Sequence, residues 1–155
     1  MNNLNIRKAS VSDIAAVINL IADDQLGATR EQVSGPVSLV YRTAFERIER
    51  QNGNDIYVAE IDGEIIGCMQ LTFITGLSRK GLTRCQIEAV RVSKTLRSQG
   101  IGKKMMVYAI DLAKTSGCGL VQLTTDNTRE DAHRFYKKLG FVGSHVGMKL
   151  DLLNS

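Results

Sequence analysis

Asp62-Gly63 separates two strand-like runs, Ile56 to Glu60 and Ile65 to Phe73. An Asp-Gly pair between β-favouring segments reads as a two-residue hairpin, because both central residues of such a turn need positive φ and Gly takes it without steric cost. A lone hairpin is barely stable in water, so further strands or helices must cover it. The flanking sequence supplies both. Leu4 and Ile6 alternate with polar neighbours between Asn3 and Lys8, as in a strand. Ser10 and Asp13 then have the spacing of a capping box, and Ile14, Val17, Ile18 and Ile21 fall on one helical face. Asp23 to Gly35 reads as a loop. Pro36 is placed as the first residue of a second helix, with the stripe Val37, Val40, Tyr41, Ala44, Phe45 and Ile48 and a stop at Asn52-Gly53-Asn54.

Beyond the hairpin, the polar stretch Gly76 to Arg84 leads into a strand from Cys85 to Val92. A third helix carries Ile101, Met105, Tyr108, Ala109 and Leu112 on one face and stops at Gly117. Leu120 to Thr125 reads as a strand. Arg129 to Leu139 reads as a helix with Ala132, Phe135, Tyr136 and Leu139 on one side, and Ser144 to Leu152 as a last strand. The predicted order is β-α-α-β-β-β-α-β-α-β, an α/β chain whose mixed sheet has helices on both faces. No linker or repeat divides the 155 residues, so a single domain over 1–155 is expected, long enough to close a core without disulfide or metal.

No apolar run approaches the roughly 18–20 residues that cross a bilayer, and none opens the chain as a signal peptide would. A soluble cytoplasmic protein without a membrane partner is the expectation. Cys68, Cys85 and Cys118 form no metal-ligand spacing and read as ordinary thiols, so no metal is expected. The net charge of +4 permits an anionic partner.

The positive charge gathers at one turn. Arg91, Lys94, Arg97, Lys103 and Lys104 surround Gly100-Ile101-Gly102 with no acidic residue between Arg91 and Lys104. Glycines at a strand-to-helix junction let the backbone approach a ligand, and the N–H groups of a helix start favour an anion such as a pyrophosphate. A glycine turn with a solvated basic rim fits the same residues. A Walker loop needs Ser or Thr after Gly102-Lys103 and finds Lys104; a dinucleotide fingerprint needs a small residue where Met105 stands.

Arg97-Ser98-Gln99-Gly100-Ile101-Gly102 resembles the Arg/Gln-x-x-Gly-x-Gly/Ala signature of the GCN5-related N-acetyltransferases, the GNAT family. Ile87-Glu88-Ala89-Val90-Arg91-Val92 precedes it as that family's fourth strand would. Asn127 and the block from Ala132 to Phe141, with Phe135-Tyr136 and Leu139-Gly140-Phe141, follow as its last helix and turn would. The resemblance runs from about Ile56 to Leu150, while the N-terminal third matches in pattern alone. Thr125 to Phe141 resembles aminoalkylphosphonate N-acetyltransferases in particular.

The resemblance implies the acyl-CoA N-acyltransferase fold, acetyl-CoA as acetyl donor, a small-molecule amine as acceptor and a homodimer. It implies that backbone groups of Val90 and Val92, flanking Arg91, pair with the pantetheine arm. Amides of Arg97, Ser98, Gln99, Gly100, Ile101, Gly102 and Lys103 would wrap the pyrophosphate. Asn127 would hold the pantetheine or its turn, Tyr136 would be the general acid, and the Val90 N–H would polarise the acetyl carbonyl. Without the resemblance, Tyr136 reads as a core tyrosine.

The chemistry asks for a base. A primary amine titrates near pKa 10.4, so holding it deprotonated at pH 7 costs about 4.6 kcal/mol. Glu88 is the acid on the central strand, and alternation places it on the face of Val90, although a cross-strand ion pair is its plain structural role. An exposed carboxylate near pKa 4.3 would need burial or a water relay to serve as that base. A phenol of pKa ~10 can protonate a thiolate of pKa ~8.5 at a cost of about 2 kcal/mol. His133 and His145 read as surface or structural histidines, and Cys85 has nothing nearby to activate a thiolate. Arg79, Lys80 or Arg84 could meet the acid group of an anionic amine; Asp23, Asp24, Glu46 and Glu49 could receive a polyamine or aminoglycoside. Two other readings keep the basic turn: a regulator or acetyl-CoA sensor without turnover, and a nucleic-acid-binding regulator. Nucleic acid is not the expected partner, because no aromatic residue interleaves with the Arg91–Lys104 charges.

Overall fold

A computed structural model describes residues 3–24, 27–32 and 36–154. Strand β1 (Leu4–Lys8) leads to a short 3-10 turn and α1 (Ile14–Ala22), followed by the four-residue α2 (Gly27–Arg30) and by α3 (Leu39–Arg50). The hairpin β2 (Asn54–Ile61) and β3 (Glu64–Thr75) comes next, then a single turn α4 (Ser78–Gly81) and β4 (Thr83–Val92). Helix α5 (Ile101–Thr115) connects β4 to β5 (Leu120–Leu123), and α6 (Glu130–Lys138) follows. The chain packs as two units, Met1–Leu123 and Thr124–Ser155.

In the first unit the five strands lie in the order β1-β2-β3-β4-β5. All neighbours are antiparallel except β4 and β5, which run parallel because a helix crosses over between them. The hairpin turns as expected: Asp62 and Gly63 both have positive φ, 51° and 82°. One face of the sheet packs on α1, where Val17, Leu20, Val58 and Cys68 form a cluster, with Ile14, Ile18 and Phe45 beside it. The other face packs on α5, where Met105, Met106, Ala109 and Ala113 are buried with Leu71, Ile87 and Cys85.

The capping box exists. Ser10 N–H donates to Asp13 Oδ2 at 2.7 Å, and Arg7 joins the same carboxylate at 2.8 Å, tying β1 to the start of α1. Arg7 also reaches Glu60 on the neighbouring strand β2 at 3.0 Å.

Three expectations are corrected here. The second helix starts at Leu39 behind Ser38, whose hydroxyl accepts from Val40 N–H, so Pro36 lies outside it. Its apolar stripe is narrower than predicted: Val40 is exposed, and Tyr41 and Phe45, with Val37 ahead of the helix, make the contact. The expected loop from Asp23 to Gly35 contains α2; its positions 25, 26 and 33–35 lie outside the described residues.

The second unit contains α6, with Glu130 and Asp131 in its first turn and Lys137 and Lys138 in its last, the arrangement a helix dipole favours. Gly140, at φ 94°, ends it. The strand expected from Ser144 to Leu152 is not formed. Val146, Met148, Leu150 and Leu152 keep a two-residue alternation but stand 78–92% exposed. Alternation alone makes no strand, because the backbone needs a neighbouring strand to complete its ladder.

Candidate active site

β5 pairs with β4 only from Arg84 to Ile87 and ends at Leu123. From Glu88 onward, β4 therefore has, among the described residues, a strand neighbour on the β3 side only, and the other side is its open edge in that sense. Ser93 N–H bonds Ile66 O at 2.8 Å on the β3 side. Backbone groups alternate in direction along an antiparallel strand, so those of Val92 turn to the open edge. Arg97 Nε uses that edge, donating to Val92 O at 3.1 Å, and Arg91 donates to Val90 O at 2.9 Å.

A β-bulge interrupts β4 next to the open edge. Gln70 opposes Glu88 and Cys68 opposes Arg91, so Ala89 and Val90 together face the single residue Met69. Ala89 takes φ 52°, the left-handed region that a Cβ disfavours. Directly opposed residues share a face of the sheet, so Glu88 lies on the face of Arg91, and the expected common face of Glu88 and Val90 is overturned. The extra residue shifts the two-residue period by one. Cys68 Sγ donates to Ala89 O at 3.6 Å. In a trans peptide the C=O and the next N–H point in opposite directions, so this contact turns the Val90 N–H away from Cys68. Nothing in the spacing of Cys68 signals this, since register alone brings it to the bulge.

Beyond Ser93 the chain enters the glycine turn. Ser98 and Gly100 both have left-handed φ, 64° and 81°, and α5 starts at Ile101. Lys104 N–H makes the first bond of the helix, to Gly100 O at 3.1 Å, so the N–H groups of Ile101, Gly102 and Lys103 have no carbonyl within the helix. Left-handed residues before a helix start gather N–H groups into a concavity suited to an anion. Ser98, Gln99, Gly100 and Lys103 are exposed there, while Ile101 is buried and anchors the helix.

The basic residues divide between this turn and the end of α1. Arg91 Nε lies 2.9 Å from Asp24 Oδ2, with the two side chains 19% and 14% exposed. The Nε–H does not point along that contact, so it acts by charge rather than as an aligned hydrogen bond. Lys94 pairs with Asp23 at 2.7 Å, and Arg97 donates to the Asp23 carbonyl at 3.0 Å. Asp23 and Asp24 are thus committed to the turn rather than held out for a polyamine. Glu46 sits within 3.9 Å of Arg50 on its own helix.

Glu88 is exposed and has no ion-pair partner among the described residues, so the cross-strand pairing is not formed. Cys85 is buried, and that burial pushes its thiol up to about 11, which keeps it from acting as a nucleophile near neutral pH. Among the described residues no group of three or more His, Cys, Asp or Glu could hold a metal ion. No described helix is long and apolar enough to cross a membrane.

In the second unit, Asn127 is exposed in the turn before α6, where Asp126 Oδ1 accepts from Thr128 N–H at 2.9 Å. Tyr136 is half-buried; its ring meets Phe135 at 5.2 Å and Phe141 at 5.9 Å, the core-like contacts its helical position predicts. His133 Nε2 lies 3.0 Å from Asp126 O, and His145 bonds Ser144 at 2.7 Å, both structural roles.

The sequence profile of the Acetyltransferase (GNAT) family matches residues 19–141. The glucosamine 6-phosphate N-acetyltransferase of Trypanosoma brucei brucei is 28% identical over 152 residues, covering 97% of each chain. The aminoalkylphosphonate N-acetyltransferase of Salmonella typhimurium is 26% identical over 130 residues, covering 76% of this chain and 84% of the relative. A crystal structure of a transcriptional regulator from Bacillus halodurans C-125 superposes with a TM-score of 0.93 at 41% identity, over 97% of this chain and 100% of that one. With the profile spanning most of the sequence, the chain belongs to the GNAT family of acetyltransferases.

Proposed function

We propose that the protein transfers an acetyl group from acetyl-CoA directly to the primary amine of a small molecule. The observation that carries this is the open edge of β4 beyond Ile87, which runs into a glycine turn with unpaired helix-start amides. That geometry fits a long donor with an amide-bearing arm and a pyrophosphate. The arm would lie along Val90, Arg91 and Val92, and the pyrophosphate against the amides from Arg97 to Lys103; the part of Asn127, to hold the pantetheine, is taken from the family resemblance alone. When bound, acetyl-CoA supplies the acetyl group as a thioester.

The residues then have distinct tasks. The Val90 N–H, aimed by the bulge, donates to the acetyl carbonyl. Glu88, being exposed, takes the proton of the incoming ammonium through water rather than directly. The family resemblance gives Tyr136 the task of protonating the departing thiolate. Attack by the amine forms the C–N bond as the C–S bond breaks, the second proton of the nitrogen then restores the Tyr136 phenol, and no acyl group passes through Cys85.

The two relatives described above are each named for a phosphorus-bearing amine, which supports a small anionic amine as acceptor here. The reading includes one catalytic domain over 1–155, a cytoplasmic setting and a homodimer. Support for the dimer comes from the apolar side chains of Val142, Val146, Met148, Leu150, Leu152 and Leu153, each strongly exposed in the single chain, which a second copy would cover.

A second reading, a regulator that binds nucleic acid, is favoured by one observation, the likeness to the transcriptional regulator of Bacillus halodurans. Against it, Arg91 and Lys94 are already paired with Asp24 and Asp23. Thiol release from acetyl-CoA with a panel of amines tests the main reading. Turnover with at least one small amine is expected; DNA binding that weakens steeply between about 50 and 200 mM salt, with no thiol release, would replace it with the second.

A further inference from the structure

On β4, Cys85 and Ile87 point into the core beneath α5, so Arg84, Gln86 and Glu88 share the opposite face. Register extends this into a polar surface across three strands. Thr72 on β3 and Gln122 on β5 flank Gln86, and Gln70 on β3 opposes Glu88.

Hydrogen bonds hold these side chains in place. Asn54 is only 7% exposed; its Oδ1 accepts from Gln70 Nε2 at 2.9 Å and from Thr72 Oγ1 at 3.2 Å. Gln122 Nε2 donates to Gln86 Oε1 at 3.0 Å. These bonds use one side of each carboxamide. Among the described residues Gln70 Oε1, Gln122 Oε1 and Gln86 Nε2 make no hydrogen bond, which leaves two acceptors and a donor suited to hydroxyl groups. At the ends stand opposite charges: Glu88 beside the bulge and Arg84 four residues before it, with no ion pair to either among the described residues. Their Cα atoms are about 13 Å apart along the strand, too far to neutralise each other.

We propose that this face is the acceptor track, and that it takes a hydroxylated primary amine carrying a phosphoryl group, the chemistry of a hexosamine phosphate. The inference rests on the acetyl-transfer reading for the direction of the ligand. The amine lies at Glu88, next to the bulge that aims the Val90 N–H; the hydroxyls meet Gln70, Gln86 and Gln122; and the phosphoryl group meets Arg84. Asn54 is a positioning residue that acts through Gln70 and Thr72.

The test uses the full chain with acetyl-CoA and four acceptors: glucosamine 6-phosphate, glucosamine, 2-aminoethylphosphonate and spermidine. Glucosamine 6-phosphate is expected to exceed glucosamine in kcat/KM by at least tenfold, the scale of one charge-assisted hydrogen bond. Arg84→Gln should remove that preference by raising KM for the phosphorylated sugar while leaving KM for glucosamine unchanged. Gln86→Leu should raise KM for glucosamine 6-phosphate and spare 2-aminoethylphosphonate, which has no hydroxyls. Equal use of glucosamine and its phosphate, a preference for spermidine, or a preference that survives Arg84→Gln overturns the track. If no acceptor releases thiol, calorimetry with glucosamine 6-phosphate alone decides. Binding that Arg84→Gln abolishes upholds the track while the transfer reading falls, and absence of binding overturns the track as well.

Discussion

The Cys68 thiol donates to the carbonyl of Ala89, the bulged residue of β4, across 3.6 Å. Burial pushes that thiol up to about 12, so it stays protonated and remains a donor at any assay pH near neutrality. Cys68 lies opposite Arg91, one residue beyond Val90, and holds the peptide whose N–H faces the other way. Removing the donor while keeping the volume should loosen that peptide. Cys68→Val is expected to lower kcat about tenfold, part of what a lost oxyanion donor costs, with acetyl-CoA affinity unchanged. Cys68→Ser should retain more activity than Cys68→Val. The infrared carbonyl band of bound acetyl-CoA reports directly, and an identical band in wild type and Cys68→Val would remove Cys68 from this role.

The turn before α5 should fail as a ligand site when its amides are blocked. Gly100 has φ 81°, so any side chain there strains the backbone by about 1–2 kcal/mol whether or not a ligand binds. Gly102, inside the helix, is the cleaner probe. Gly102→Val should weaken coenzyme A binding by at least tenfold in calorimetry while the melting temperature moves little; undiminished affinity would detach the turn from the pyrophosphate.

Arg91 and Asp24 are largely buried as a pair, so removing one charge takes from the other its ion-pair partner. Asp24→Leu or Arg91→Leu alone should cost about 2–3 kcal/mol in urea unfolding, somewhat less than a fully buried pair. The double variant should recover much of that loss, because two apolar groups leave no charge unpaired. Additive losses in the double-mutant cycle would mean the two residues are not coupled.

Arg7 holds the Asp13 carboxyl below the usual carboxylate range, with the hydrogen bonds from Ser10 adding to it. A depressed carboxyl contributes stability that is full above its unfolded pKa, near 4, and is lost as pH falls through the lower folded value. Melting temperature should therefore drop below about pH 4, and Asp13→Asn should lower it at pH 7 while flattening the acid limb. An acid limb equally steep in Asp13→Asn would place the titration elsewhere.

Tyr136→Phe and Glu88→Gln separate transfer from binding. Each should lower kcat by about tenfold to a hundredfold, at the low end of acid-base contributions, with coenzyme A affinity unchanged. Tyr136→Phe with a wild-type rate returns the ring to its core contacts with Phe135 and Phe141.

Much of this fold can be read from short stretches of sequence, because the forces involved are local. Asp62-Gly63 specifies its own turn, Ser10 and Asp13 their own cap, and Gly100 its own left-handed backbone, each within a few residues. The strand, glycine turn and helix around Gly100 are legible for the same reason. The bulge at Ala89 is not, since it exists only through β3, and it reverses the faces that a two-residue period assigns to Glu88 and Val90. The pairing of Asp23 with Lys94 and of Asp24 with Arg91 joins residues some seventy positions apart, so no pattern along the chain announces it. Register likewise gathers Arg84, Gln86, Gln70 and Gln122 onto one face, and the alternating segment after Ser144 forms no strand where no neighbour completes its ladder. Turns and caps are settled by neighbours in sequence; faces, partners and strand edges are settled by neighbours in space.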